Sequence, residues 1–206
     1  MLFCVTEHLP DIALAAALAW ASGIRLYALL FLLGIAGYAG FITLPPQLAV
    51  LTHPLMLSAT GFMLLAEFFA DKIPGIDSLW DAVHTFIRIP AGAALAAAVF
   101  GADSHTWTIA AALLGGAITS GTHFAKAGTR TLANTSPEPF SNWTLSFAED
   151  LLVPAGLWIA LAHPLLFLGA LALFLLLLVW LLPMLWRGVA AVLETLRRIL
   201  AGTRVG

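Results

Sequence analysis

Between Pro164 and Trp186 the chain runs "PLLFLGALALFLLLLVWLLPMLW", twenty-three residues without one ionisable side chain. Water cannot be the solvent around such a segment. A hydrophobic stretch of 18 or more residues is long enough to cross the hydrocarbon of a bilayer as a helix. Composition carries the same message over all 206 residues: 61% are hydrophobic and 10% charged. Soluble domains carry about 45–50% apolar and about 25% charged residues. The chain therefore reads as an all-α, polytopic membrane protein.

Six segments are long and apolar enough to be spans: 11–38, 47–70, 77–102, 105–133, 143–162 and 163–186. Pro45-Pro46 and Pro74-Gly75 punctuate the first three. Asp77 or Ser78 would cap the third. His53 and His163 each precede a proline and would cap the second and sixth. The stretch 134–142, "NTSPEPFSN", is a loop by composition. Residues 1–186 would form one transmembrane domain, and 187–206 a cytoplasmic amphipathic tail lying on the membrane. The N-terminus lacks a positive n-region, so no removable signal peptide is expected. Cys4 is the single cysteine, which excludes an internal disulfide.

Lysine and arginine set the expected orientation. The tail holds Arg187, Arg197, Arg198 and Arg204, and an even number of spans would put both termini in the cytoplasm. Lys72, Lys126 and Arg130 then fall on that same side, while 39–46 and 103–106 contain neither lysine nor arginine. "LTHPL" at 51–55 recurs as "LAHPL" at 161–165, and "HTFIR" at 84–88 is echoed by "ETLRR" at 194–198. This reads either as an inverted repeat of three plus three spans, 11–102 and 105–186, or as chance similarity between Leu- and Ala-rich stretches.

Charge is scarce but gathered. Asp77, Asp81, His84 and Arg88 are spaced i, i+4, i+7, i+11, one face of a helix. His123, Lys126 and Arg130 make a second stripe. Glu67 and Asp71 end the second segment, Glu149 and Asp150 lie in the fifth, and Arg25 in the first beside Ser22-Gly23. At 1.5 Å per residue, Arg88 is about 16 Å into its helix and Arg25 about 20 Å. A charge facing lipid costs at least about 2.5–3.5 kcal/mol. These twelve residues are therefore expected to meet in an internal polar cavity open toward the cytoplasm. Asp71, Lys72 and Asp77 could equally be interface residues, and Lys126 and Arg130 could snorkel to head groups. Arg25, Arg88, His123 and Glu149 are too deep for that, and form either a structural ion-pair network or a functional site.

The blocks "ASGIRLY" (21–27), "AEFFADKIPGIDSLWDAVHTFIR" (66–88) and "GTHFAKAGTRTLANTSPEPFSNWTLSFAED" (121–150) resemble a bacterial integral-membrane family catalogued as a domain of unknown function (4126). The resemblance implies a bacterial inner-membrane location. It brings no activity, cofactor or residue role.

Function has three readings. A secondary transporter or channel would use the polar site for an ion, a proton or a small charged solute of either sign. An intramembrane enzyme would act on a lipid head group, with His84 or His123 and a carboxylate as acid and base. "SGTH" at 120–123 matches part of a lipid-phosphatase pattern whose other segments are missing, and no HExxH occurs. A non-catalytic assembly partner for another membrane protein is the third. The first is favoured. Partners would be membrane lipid, the solute and a second copy of the chain. No cofactor and no nucleic acid are expected, and no motif designates a metal.

Overall fold

A computed structural model describes residues 8–73, 75–101, 104–135 and 140–202. The described residues are almost all helical and include no strand: α1 (Leu9–Tyr38), a short 3-10 helix (Pro46–Thr52), α2 (Pro54–Ala70), α3 (Ile76–Phe100), α4 (His105–Ala133), α5 (Phe140–Ala162) and α6 (Pro164–Gly202). The outer surface is apolar. Phe62, Leu113, Leu151 and Trp180 are each more than 70% exposed, while arginines lie fully buried. Hydrocarbon outside and ions inside is the arrangement a bilayer imposes. The chain is a membrane protein.

Three prolines lie in helix interiors, beyond the first turn: Pro90 in α3, Pro154 in α5 and Pro183 in α6. The helices carry on through them, as membrane helices commonly do. His53 caps α2, its Nδ1 accepting from the Leu55 N–H at 3.2 Å. His163 stands immediately before α6, its backbone carbonyl accepting from the Phe167 N–H and its ring edge-on to Trp158. The cap expected from Asp77 or Ser78 lies elsewhere. α3 begins at Ile76 behind Gly75, whose φ of 84° favours glycine.

α3 and α4 are antiparallel. Gly92 meets Thr119, Ala96 meets Gly115, and Ser78 meets Asn134. α5 runs with α3, and α6 runs with α4 from Phe167 on Trp20 to Gly188 on Leu132. One end of the bundle thus holds Phe100, Gly101 and Trp107. The other holds the α2–α3 turn and Asn134.

α1 does not cross between those ends. Its first half follows α4: the Ala19 carbonyl accepts from Thr119 at 2.8 Å and the Ile24 carbonyl from Lys126 at 2.9 Å. At Arg25 the backbone leaves the helix, with φ −145° and ψ 83°. The second half then returns along α2, with Phe31 on Gly61, Gly34 on Leu51 and Leu57, and Gly37 on Leu44 and Thr52. Gln47 closes the circuit by lying against Gly101. A straight α1 would hold Gly34 about 40 Å from Gly101. The contacts through Leu51 and Gln47 bring it within about 20 Å. α1 is a re-entrant hairpin with Arg25 at its tip.

Several expectations change. Among the described residues four helices are long and apolar enough to cross a membrane, or five if the Pro46–Thr52 and Pro54–Ala70 pair, bent by 71°, counts as one. α4 has the length but carries polar residues along its buried face. α1 meets the composition test and still turns back. His8 therefore stands beside Phe100 and Trp107, whereas Gly188 packs at the opposite end of the bundle. The sequence echo is not inverted, since "LTHPL" and "LAHPL" both precede helices that run toward the Asn134 end. Finally, α6 continues without a break through 187 to Gly202, where a separate amphipathic helix was expected.

Candidate functional site

The polar stripes meet around the tip of α1, near the Asn134 end of the bundle. A first layer centres on Arg88 of α3. Its Nη2 donates to Glu67 Oε1 at 2.5 Å and its Nη1 to Asp81 Oδ1 at 2.8 Å. The same Nη1 lies 3.4 Å from His123 Nδ1, and the other nitrogen of that ring meets Thr85 Oγ1 at 2.7 Å. Asp81 and Arg88 sit seven residues apart on one helix face, so the sequence spacing alone aims them at each other.

A second layer is built on Arg25 and Lys126. Breaking the helix at Arg25 carries the guanidinium toward α5, where Nη2 donates to Ser146 Oγ at 2.7 Å. Its Nη1 is 3.1 Å from Asp71 Oδ2, and its Nε is 3.1 Å from Asp150 Oδ1 and 3.7 Å from Glu149 Oε2. The Lys126 ammonium has Asp71 Oδ2 and Glu149 Oε2 at 3.3 Å and Asp81 Oδ1 at 3.6 Å. It also donates to the Ile24 carbonyl, next to the break in α1 at Arg25.

The third layer closes the end. Arg130 binds Glu149 through Nη2 at 2.7 Å and the Asp71 carbonyl through Nη1 at 2.8 Å. Asp77 lies 3.8 Å from Arg130 and accepts from the Ser78 and Gly75 N–H groups and from Asn134. Asn142 of α5 donates to Asn134 Oδ1, which ties α5 to the end of α4. Lys72 sits at the rim, 3.0 Å above the Phe68 ring and 3.3 Å from Ser146 Oγ.

Eleven of the twelve residues singled out from the sequence belong to this assembly. His84 does not. Its Nδ1 is 2.8 Å from the Trp80 carbonyl and its ring stacks on Trp80. Asp71 and Asp77 are fully buried and not interface residues, and Lys126 and Arg130 are held by carboxylates instead of snorkelling. The space assigned to an open polar cavity is filled by ion pairs. Arg25, Glu67 and Arg88 are 0% exposed, and among the ionisable groups the cluster reaches the surface at Glu149 and Asp150, 14% and 23% exposed, and at Lys72 on the rim. Ser146, Thr85, Asn134, Asn142 and the Ile24 carbonyl were not singled out. Ser146 carried a signal, standing three residues before Glu149 on the same helix face.

The charges do not balance. Four cations, Arg25, Arg88, Lys126 and Arg130, face six carboxylates, Glu67, Asp71, Asp77, Asp81, Glu149 and Asp150. Counting Lys72 still leaves the carboxylates in excess. Glu67 Oε2, Asp71 Oδ1, Asp81 Oδ2 and Asp150 Oδ2 are buried without a hydrogen-bond donor. Uncompensated charge at low dielectric is costly and must be met by a proton or a cation. Among the described residues no group of three or more His, Cys, Asp or Glu is arranged to hold a metal ion.

No curated protein and no solved structure matches the chain. A family model does match, over residues 12–184, a range that contains every layer of the charged cluster. The chain is a member of the family described as Domain of unknown function (DUF4126).

Proposed function

We propose that this chain is a small secondary transporter or channel for a cation, the proton included. One observation carries the reading: a buried cluster richer in carboxylates than in cations surrounds the tip of a re-entrant, broken helix. Broken helices in transporters bring backbone carbonyls to an ion site at membrane depth, where irregular backbone survives only beside protein or a polar cavity. Intramembrane ionisable groups are functional candidates by default. Glu149 and Asp150, the partly exposed members, would be the point of entry. Lys72, Arg130 and Arg187 lie toward that end, and by the positive-inside rule this supports reading it as the cytoplasmic face of a bacterial inner membrane.

The dense pairing of Arg25 and Arg88 favours one other reading, a rigid core on which a second membrane protein assembles. Purified protein in proteoliposomes separates the two. A transporter moves protons or small cations down an imposed gradient, and Glu149→Gln or Arg88→Ala abolishes that movement. Absence of flux across a panel of cations and anions, with a subunit co-purifying from the native membrane, would favour the scaffold. Turnover of a lipid head group in detergent, where no compartments exist, would favour an enzyme.

A further inference from the structure

α4 and α6 touch in one half of the bundle and part in the other. Gly121 lies against Leu178 and Leu132 against Gly188, yet between residues 107–118 of α4 and 168–175 of α6 there is a cleft of about 270 Å³. Its floor is the first half of α1 and the end of α3, where Ala15 and Ala96 are buried. Its lips, Leu114 and Ala172, are exposed on the outer apolar surface. Of the fifteen lining residues seven are alanine or glycine, which leaves open the space that longer side chains would fill. The Trp107 indole carries the one polar side-chain atom among them. An ordered water needs two to four polar partners, so the cleft suits neither water nor an ion. A helix from another molecule, about 10–12 Å across with its side chains, is too wide for it.

We propose that this cleft holds one acyl chain of a membrane phospholipid, from the leaflet at the Phe100 and Trp107 end of the bundle. It opens sideways through surface that faces hydrocarbon, so a chain inside it continues the surrounding solvent inward. The length fits. Trp107 to Ile118 spans about 16 Å at 1.5 Å per residue, half of a hydrocarbon core roughly 30 Å thick and therefore the depth of one leaflet. The head-group end is marked by aromatic rings. Trp107 stacks on Phe100 with centroids 5.5 Å apart and stands 5.4 Å from the His8 ring. Tryptophan gathers where head groups begin. At the inner end the contact of Gly121 with Leu178 shuts the cleft just beyond Ile118 and Leu175. A chain bound there covers the part of α1 that α4 and α6 leave bare. The site lies in the half of the bundle away from the charged cluster, and its occupancy does not depend on whether that cluster carries an ion.

Photolabelling in a bilayer tests it. The full chain is reconstituted in phospholipid vesicles doped with a phosphatidylcholine that carries a diazirine on one acyl chain, then irradiated, digested and mapped by mass spectrometry. Insertion is expected in α1 at Ala15, which is 5% exposed and lines the cleft, as well as at the outward-facing Leu113 and Leu151. A diazirine near the ester should mark Ile12 and Trp107, and one near the chain end Ile118 and Leu175. Ala111→Leu fills the cleft from its buried wall and should abolish insertion at Ala15 while Leu113 and Leu151 stay labelled. If that variant is not recovered folded, Ala172→Phe on the exposed lip takes its place with the same expectation. An unlabelled Ala15 in the unaltered protein, with Leu113 and Leu151 labelled, overturns the proposal. So does labelling of Ala15 that the cleft-filling variant leaves unchanged.

Discussion

Arg88 and Glu67 are joined by a 2.5 Å hydrogen bond between two fully buried side chains, one from α3 and one from α2. Asp81 completes the pair on the other side of the guanidinium. Removing the arginine alone leaves two carboxylates with too little positive charge, which costs about 3–5 kcal/mol. Arg88→Met should therefore lower Tm strongly or prevent folding. Adding Glu67→Gln to it should recover a large part of the loss, because the carboxylate that lost its partner is gone too. Thermal melts of the two single variants and the double variant in detergent check this, and strictly additive effects would refute it.

Gly23 has no room for a side chain. A Cβ there would lie 1.8 Å from Thr122 Oγ1 and 2.7 Å from the Thr119 carbonyl. Gly23→Ala should cost about 1–3 kcal/mol. Thr122→Ala should relieve only part of that, since the Thr119 carbonyl is main chain and stays. Melts of the single and double variants read both effects.

Much of this cluster is visible in the bare sequence, and the reason is physical. Hydrocarbon rejects isolated ions, so residues such as Asp81, Arg88 and Lys126 must turn inward and meet. The spacing of Asp81 and Arg88 even gives a direct pair. His84 shares that spacing but not the outcome, because the Trp80 carbonyl one turn earlier takes its ring nitrogen. The fold of α1 is illegible for the opposite reason. No proline marks its break, and a largely apolar helix of thirty residues reads as a span whether it crosses or turns back. The break is a tertiary effect: Ser146, Asp71 and Asp150 hold the Arg25 side chain where a continuous helix would not place it.

Asp71 sits in the turn after α2, where burial works against its ionised form. Lys126, Arg130 and Arg25 outweigh that and hold its carboxyl below the usual aspartate range. With the folded value below the unfolded one, about 3.9, the stabilisation is complete above that pH and is lost as the pH falls through the folded value. Asp71→Asn should therefore be less stable near neutrality and should lose less of its remaining stability on acidification. Tm measured from neutral pH to below about 3 tests both halves, and parallel curves for the two proteins would contradict the sign.

The hairpin in α1 makes a prediction about sidedness that a spanning helix cannot share. Pro10, at the start of the first half, and Phe41, after the second, are both exposed, and the contacts of their neighbours put both near Gly101. Thr135, exposed after α4, lies at the other end. Single cysteines are placed at these positions in a Cys4→Ser background, and cells are treated with a membrane-impermeant thiol reagent before and after permeabilisation. Pro10→Cys and Phe41→Cys should label from one side, and Thr135→Cys from the other. A straight α1 would instead pair Phe41→Cys with Thr135→Cys. That result would remove Arg25 from the tip of a re-entrant helix, and with it the placement of the Ile24 carbonyl against Lys126.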